Sequence, residues 1–140
     1  MSDRFLVVRV GTERFGIPLG AVREAMDRAE PRPVPARSPA VRGVMPYRER
    51  FVSLVHLGAL VSGTAAPEAA GGTVVIVELA GSAVALEVDD VETVVDRAAS
   101  FVGPAPVAWA TGVWRVGGDL VTVLDTEHLG ERLTAAGSTA

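Results

Sequence analysis

The chain has 140 residues, no cysteine, a hydrophobic fraction of 49% and a formal net charge of −4. That length fits one domain, or two small subdomains sharing a core, and the apolar content excludes a disordered chain. Without cysteine there are no disulfides, thiolate metal sites or cysteine nucleophiles, and no apolar run approaches the ~20 residues that cross a bilayer.

The N-terminus enters a strand at once and has no tripartite signal pattern, so a cytoplasmic protein without direct membrane insertion is expected. Charge is distributed unevenly. Through Leu60 there are ten Arg against six acidic residues; from Val61 onward, three Arg against eleven. There is no Lys, which a GC-rich genome would explain; recognition by planar guanidinium groups is the functional alternative. The Arg residues are dispersed and the pI is near 5.1, so no nucleic acid is expected as a partner.

The dominant hydrophobic period is two. Phe5–Val10 and Arg14–Ile17 form a hairpin across Gly11-Thr12. Leu19, Val22 and Met26 carry a helical spacing over Leu19–Ala29, with a strand through Ala21–Ala25 as the alternative. Glu30–Pro39 is punctuated by proline and reads as extended or at a sheet edge. Val41–Met45 and Phe51–Val55 are strands flanking a "PYRER" turn, and Leu57–Val61 is one helical turn. Ser62–Gly72 is a loop by composition. Thr73–Leu79 and Ala83–Val88 form a second hairpin, Val91–Val95 a further strand, and Val113–Val116 with Leu120–Leu124 a third hairpin. Asp125 or Thr126 caps a short helix to Leu133, leaving 134–140 as a disordered tail. Nine or ten short strands broken by Gly and Pro point to small β-barrels.

Chemistry is sparse. His56 and His128 lack a second His or Cys at ligand spacing, so no metal site is expected. Asp89 and Asp90 are adjacent, and adjacent strand residues face opposite ways, so they do not form a converging acid–base pair. There is no phosphate-binding GxxxxGK[ST] and no GxSxG. No catalytic set and no cofactor site emerge. A small β-barrel enzyme would need a deep pocket with convergent polar groups, and the sequence supplies none.

Taken in order, "FLVVRVGTERFGIPLGAVREAM", "PVPARSPAVRGVM", "FVSLVHLGALV", "VVIVELAGSAVALEVDDVETVV" and "GVWRVGGDLVTVLDTEHL" resemble the CheW-like domain family of bacterial chemosensory arrays. The resemblance covers 4–133 as a single domain. It implies a mostly β fold of two intertwined five-stranded, SH3-like barrels with short helices. The approximate halves are 15–72 and 73–124, with terminal segments contributing. It also implies a non-enzymatic adaptor in a two-component system. Its expected partners are the regulatory domain of the histidine kinase CheA, the cytoplasmic tip of a methyl-accepting chemoreceptor, and other CheW-like proteins. The alternative is a CheW-like scaffold module in a sensory pathway outside motility.

One stretch departs from the family pattern, which is close to RG-x-[IV]-N-L-RG-x-x-[IV]-PV-x-DL-R. Gly43 is kept and Arg48 aligns with the family arginine. Met45-Pro46-Tyr47 stands for Ile-Asn-Leu, Glu49 replaces the following glycine and His56 replaces the aspartate. If that glycine needs φ > 0, Glu49 costs about 1–2 kcal/mol there and the turn is expected to be rebuilt. The changes suggest a divergent paralogue that has lost one partner contact. The expected protein interface comprises Arg42, Tyr47, Arg48, Glu49, Arg50 and His56, with Tyr47 and Arg48 as anchors because Tyr and Arg are enriched at interface hot spots.

Overall fold

The computed structural model describes residues 4–136, apart from 37, 97 and 99. In chain order the elements are β1 (Arg4–Val10), β2 (Glu13–Pro18), a 3₁₀ turn (Leu19–Ala21), β3 (Val22–Asp27), β4 (Val41–Tyr47), β5 (Arg50–His56), α1 (Leu57–Ser62), β6 (Thr73–Leu79), β7 (Ser82–Val88), β8 (Asp90–Asp96), β9 (Phe101–Gly103), β10 (Ala110–Val116), β11 (Asp119–Leu124) and α2 (Thr126–Ala136). A six-stranded sheet has the order β8-β1-β2-β11-β10-β9, and a five-stranded sheet the order β3-β6-β7-β5-β4. This is the mostly β, few-helix architecture that the sequence pattern implied.

The two sheets repeat one plan. Three antiparallel strands join a hairpin through a parallel pairing, β2 against β11 in one sheet and β7 against β5 in the other. The second strand of each hairpin runs into a helix, β5 into α1 and β11 into α2. Both hairpins carry a bulge just before a glycine, at Val41/Gly43 and at Ala110/Gly112. At Gly43 a Cβ would stand 2.3 Å from the Arg32 carbonyl oxygen, so only glycine lets the 28–40 segment pair with β4 there.

Each sheet exchanges a strand with the other. β3 follows β2 in sequence but pairs with β6; β8 follows β7 but pairs with β1. The expected division near residue 72 therefore does not separate the sheets. The strands on either side of the 63–72 loop belong to the same five-stranded sheet, and the six-stranded sheet is built from the two ends of the chain.

This exchange accounts for the uninterrupted apolar runs. Along β1, Phe5 and Val7 enter the interior of the six-stranded sheet with Trp114, Val121 and Val123. Leu6 and Val8 point the other way, into a core shared by both sheets that includes Phe15, Val55, Val75, Leu86 and Leu124. On β6, Val74 and Ile76 face the interior of the five-stranded sheet with Met45, Tyr47 and Leu54, and Val75 and Val77 face the shared core. A strand buried on both faces has no polar alternation to show.

Three expectations change. The helix over Leu19–Ala29 is instead the 3₁₀ turn and β3. Along β3, half-buried residues at 22, 24 and 26 alternate with exposed ones, and pairing to β6 outweighs a weak helical propensity. β9 was not foreseen; it is three residues long and pairs only with β10. The terminal helix runs past Leu133 to Ala136, inside the stretch expected to be a tail, and 137–140 lie outside the described residues.

Candidate functional site

β4 and β5 meet at a two-residue turn. Tyr47 pairs with Arg50, leaving only Arg48 and Glu49 at the centre, so the turn is narrower than the five-residue "PYRER" segment. Both central residues are left-handed, with φ of 46° and 64°. This is the type I′ form, whose twist suits a hairpin and which normally recruits Asn or Gly. The left-handed conformation that favours glycine is adopted here by Arg48 and Glu49.

A carboxylate on β3, at the opposite edge of the five-stranded sheet, holds it. Glu24 on β3 accepts three hydrogen bonds on Oε2: from the Tyr47 hydroxyl at 2.6 Å, and from Nε and Nη2 of Arg48 at 2.9 and 2.7 Å. The Arg48 guanidinium lies 5.5 Å from the Tyr47 ring centroid. The Tyr47 hydroxyl, and after it Arg48, hold the Glu24 carboxyl below its ordinary pKa. Side-chain donors converging on one acceptor oppose the strain of an L residue at positive φ.

The outer face of the tip is both apolar and cationic. Phe51, paired with Pro46, is 55% exposed, and Arg32 lies over its ring at 5.6 Å from the centroid. Met26, Pro46, Tyr47, Arg50 and Phe51 help line an open concavity of about 400 Å³ beside the turn.

The six expected interface residues thus fall into two groups. Arg48, Glu49 and Arg50 are exposed at the tip, and Tyr47 lies beneath them with its ring buried and only its hydroxyl reaching the network. Arg42 and His56 sit at the far end of the same hairpin and face inward. Arg42 makes a bidentate pair with Glu87 on β7, at 2.7 and 2.9 Å, and Glu87 is fully buried. The pair also fastens the 63–72 loop: Arg42 donates to the Ala69 carbonyl at 3.1 Å, and Gly71 N–H donates to Glu87 at 2.9 Å.

His56 caps α1, its Nδ1 accepting from Ala59 N–H at 3.0 Å. At the equivalent place in the second hairpin, Asp125 caps α2 by accepting from His128 N–H at 3.0 Å. A histidine in place of the family aspartate therefore keeps the capping acceptor, provided that Nδ1 is unprotonated. Burial holds the His56 pKa below its ordinary value.

Glu24, Arg32, Phe51 and Glu87 escaped the sequence reading. Two had a signal. With Val52 and Leu54 turned inward on β5, Phe51 must turn outward. Glu87 is a lone charge between Leu86 and Val88 in a buried strand, and it needed a partner.

This arrangement, with two intertwined sheets, a shared core and an arginine-bearing tip on the β4–β5 hairpin, accompanies a family match. The CheW-like domain model matches residues 4–133. The chain belongs to the CheW-like domain family. Among solved structures, the CheW-like chain is similar to the scaffolding protein TtCheW from Thermoanaerobacter tengcongensis, with 19% identity, a TM-score of 0.77 and 92% of each chain covered. At that identity the likeness speaks for the fold. No curated protein matches this CheW-like sequence. Among the described residues no group of three or more His, Asp or Glu is placed to hold a metal ion, and no helix is long and apolar enough to cross a membrane.

Proposed function

We propose that this CheW-like domain is an adaptor that couples the cytoplasmic tip of a chemoreceptor to the regulatory domain of a CheA-type histidine kinase, with the β4–β5 tip as one of its docking surfaces. The observation that carries the docking role is the braced tip. A left-handed turn without glycine is held by Glu24, and it presents exposed Arg50 and Phe51 beside a concavity. A pre-organised surface loses little entropy on binding, and exposed aromatic and Arg side chains are the types that dominate interface energetics. Arg48 belongs to this surface as its brace. Arg42 and His56 serve it indirectly, by setting the far end of the same hairpin.

The proposed work is geometric. An adaptor linking two partners gains from effective concentration, so each contact can be modest alone. The bracing of the Arg48–Glu49 turn by Glu24 supports a reading in which both partner contacts survive the replaced glycine. Separate titrations of the full chain with a receptor-tip fragment and with a kinase regulatory domain test this. Binding of both is expected, and Phe51→Ala should weaken at least one by tenfold or more without moving the melting temperature by more than a few degrees. No binding of either fragment would refute the adaptor role.

A further inference from the structure

We propose that the β4–β5 tip receives a partner segment in which a carboxylate stands beside an exposed apolar side chain, the apolar group seating on Phe51 and the carboxylate meeting Arg50 and Arg32. This assignment of partner chemistry rests on the docking role proposed above.

Most arginines on and beside the five-stranded sheet are already paired. Arg23 is paired with Glu78 at 3.1 Å, Arg28 with Glu30 at 3.8 Å, Arg42 with Glu87 and Arg48 with Glu24. Among the described residues, Arg32 and Arg50 form no ion pair. Both border Phe51, Arg32 over its ring and Arg50 as its chain neighbour at the rim of the concavity. A guanidinium on an aromatic face keeps its donors in one plane, a geometry that suits a carboxylate. The concavity beside it sets Met26, Pro46 and Phe51 next to Arg50; of its two carboxylates, Glu24 is committed to Arg48, and Glu49 stands at the turn.

The repeat supplies an internal control. In the β10–β11 hairpin the position equivalent to Phe51 is Leu120, exposed to a similar degree at 53%. Its preceding residue is Asp119, which lies 3.5 Å from Arg14. The apolar tip residue is therefore common to both hairpins, and among the described residues each has an arginine without an ion pair beside it, Arg115 being the cross-strand partner of Leu120. What sets the β4–β5 tip apart is that Arg50 stands where the other hairpin has Asp119 and that Arg32 lies over the Phe51 ring.

The test uses the full chain with the receptor-tip fragment and the kinase regulatory domain as separate probes. For the probe that docks at this tip, the pair Arg32→Glu/Arg50→Glu is expected to lower affinity tenfold or more. Raising NaCl from about 50 to about 500 mM should weaken the wild-type complex several-fold and the variant's much less. Should the reversed charges perturb melting, Arg32→Gln/Arg50→Gln replaces them, with the same direction and a smaller loss. Salt-insensitive binding that survives both pairs but falls with Phe51→Ala would overturn the acidic partner and leave the docking role standing. Binding untouched by Phe51→Ala as well would remove the tip from the docking role altogether. Sedimentation of the chain alone adds a last outcome. A dimer abolished by Arg32→Glu/Arg50→Glu would make a second copy the occupant and overturn the proposal.

Discussion

An Arg–Glu pair stands at each end of β4, Arg42 within the strand and Arg48 just past it, and the two do opposite work. At one end Arg42, with 13% of its side chain exposed, meets Glu87, which is fully buried. At the other end Arg48, 72% exposed, meets Glu24, 34% exposed. Their shortest contacts are the same, 2.7 Å. What differs is the cost of losing a partner. A buried carboxylate left alone has no water to turn to, whereas an exposed one is resolvated at once. Contact geometry alone would rank the two as equals. Burial makes the first a structural clip for the 63–72 loop and the second a local brace for one turn.

Removing one member of the buried pair should have the largest effect. Glu87→Ala is expected to lower the free energy of unfolding by about 3–5 kcal/mol, read by urea denaturation, because Arg42 and the Gly71 N–H lose their acceptor together. A loss below about 1 kcal/mol would mean that the region is wetter than its geometry shows. The double replacement Arg42→Met/Glu87→Leu sharpens the comparison. It should regain most of the loss, since an apolar pair of similar volume replaces the ions, although the loop then gives up its two backbone bonds.

How much of this was legible in the sequence depends on how local the cause is. Strands with period-two patterning and their hairpins came through because each needs only its own residues and a turn. Both helix caps were within reach for the same reason, and Asp125 was found. β3 misled because Leu19, Val22 and Met26 satisfy a helical spacing, while the pairing that makes the segment a strand comes from β6, roughly fifty residues away. The strand exchange between sheets is likewise invisible in any window. At the tip, Arg48 and Arg50 were found by residue type, but their difference was not. Only the reach of Glu24 from β3, the opposite edge strand of the sheet, shows that Arg48 is committed and Arg50 is not.

The strained turn at the tip should give the next largest effect. Every other two-residue tip has a glycine at positive φ: Gly11 at 61°, Gly81 at 87° and Gly117 at 61°. The left-handed region costs an L residue about 1–2 kcal/mol, and glycine in a loop gives part of that back as unfolded-state entropy. Glu49→Gly should therefore stabilise the chain by about 0.5–1 kcal/mol, and Gly117→Glu should destabilise it by about as much, both read from urea midpoints. Stabilisation at Glu49 combined with weaker docking would show that the strained glutamate serves the surface. Destabilisation would show that its side chain makes a contact stronger than the strain.

Acid separates the two ends of the hairpin most finely, and by the smallest margin. His56 has a pKa lowered by burial from its ordinary 6.5, and its Nδ1 must stay unprotonated to accept from Ala59. The unfolded chain therefore binds a proton there before the folded one does, so stability declines as the pH falls through 6.5 toward the lowered value, and above 6.5 it is flat. His56→Asn keeps a capping acceptor that does not titrate and should remove this first decline. Glu24, lowered from its ordinary 4.5 by the Tyr47 hydroxyl and by Arg48, behaves as a carboxylate does. Its contribution is present above 4.5 and is lost only as the pH falls through the lower folded value. That end is exposed, so the loss should show as faster amide exchange at Arg48–Arg50 rather than as global unfolding, and Glu24→Gln should already exchange fast at neutral pH. If the tip amides loosen together with the His56 end near pH 6, the two ends of β4 are one cooperative unit and the distinction between clip and brace fails.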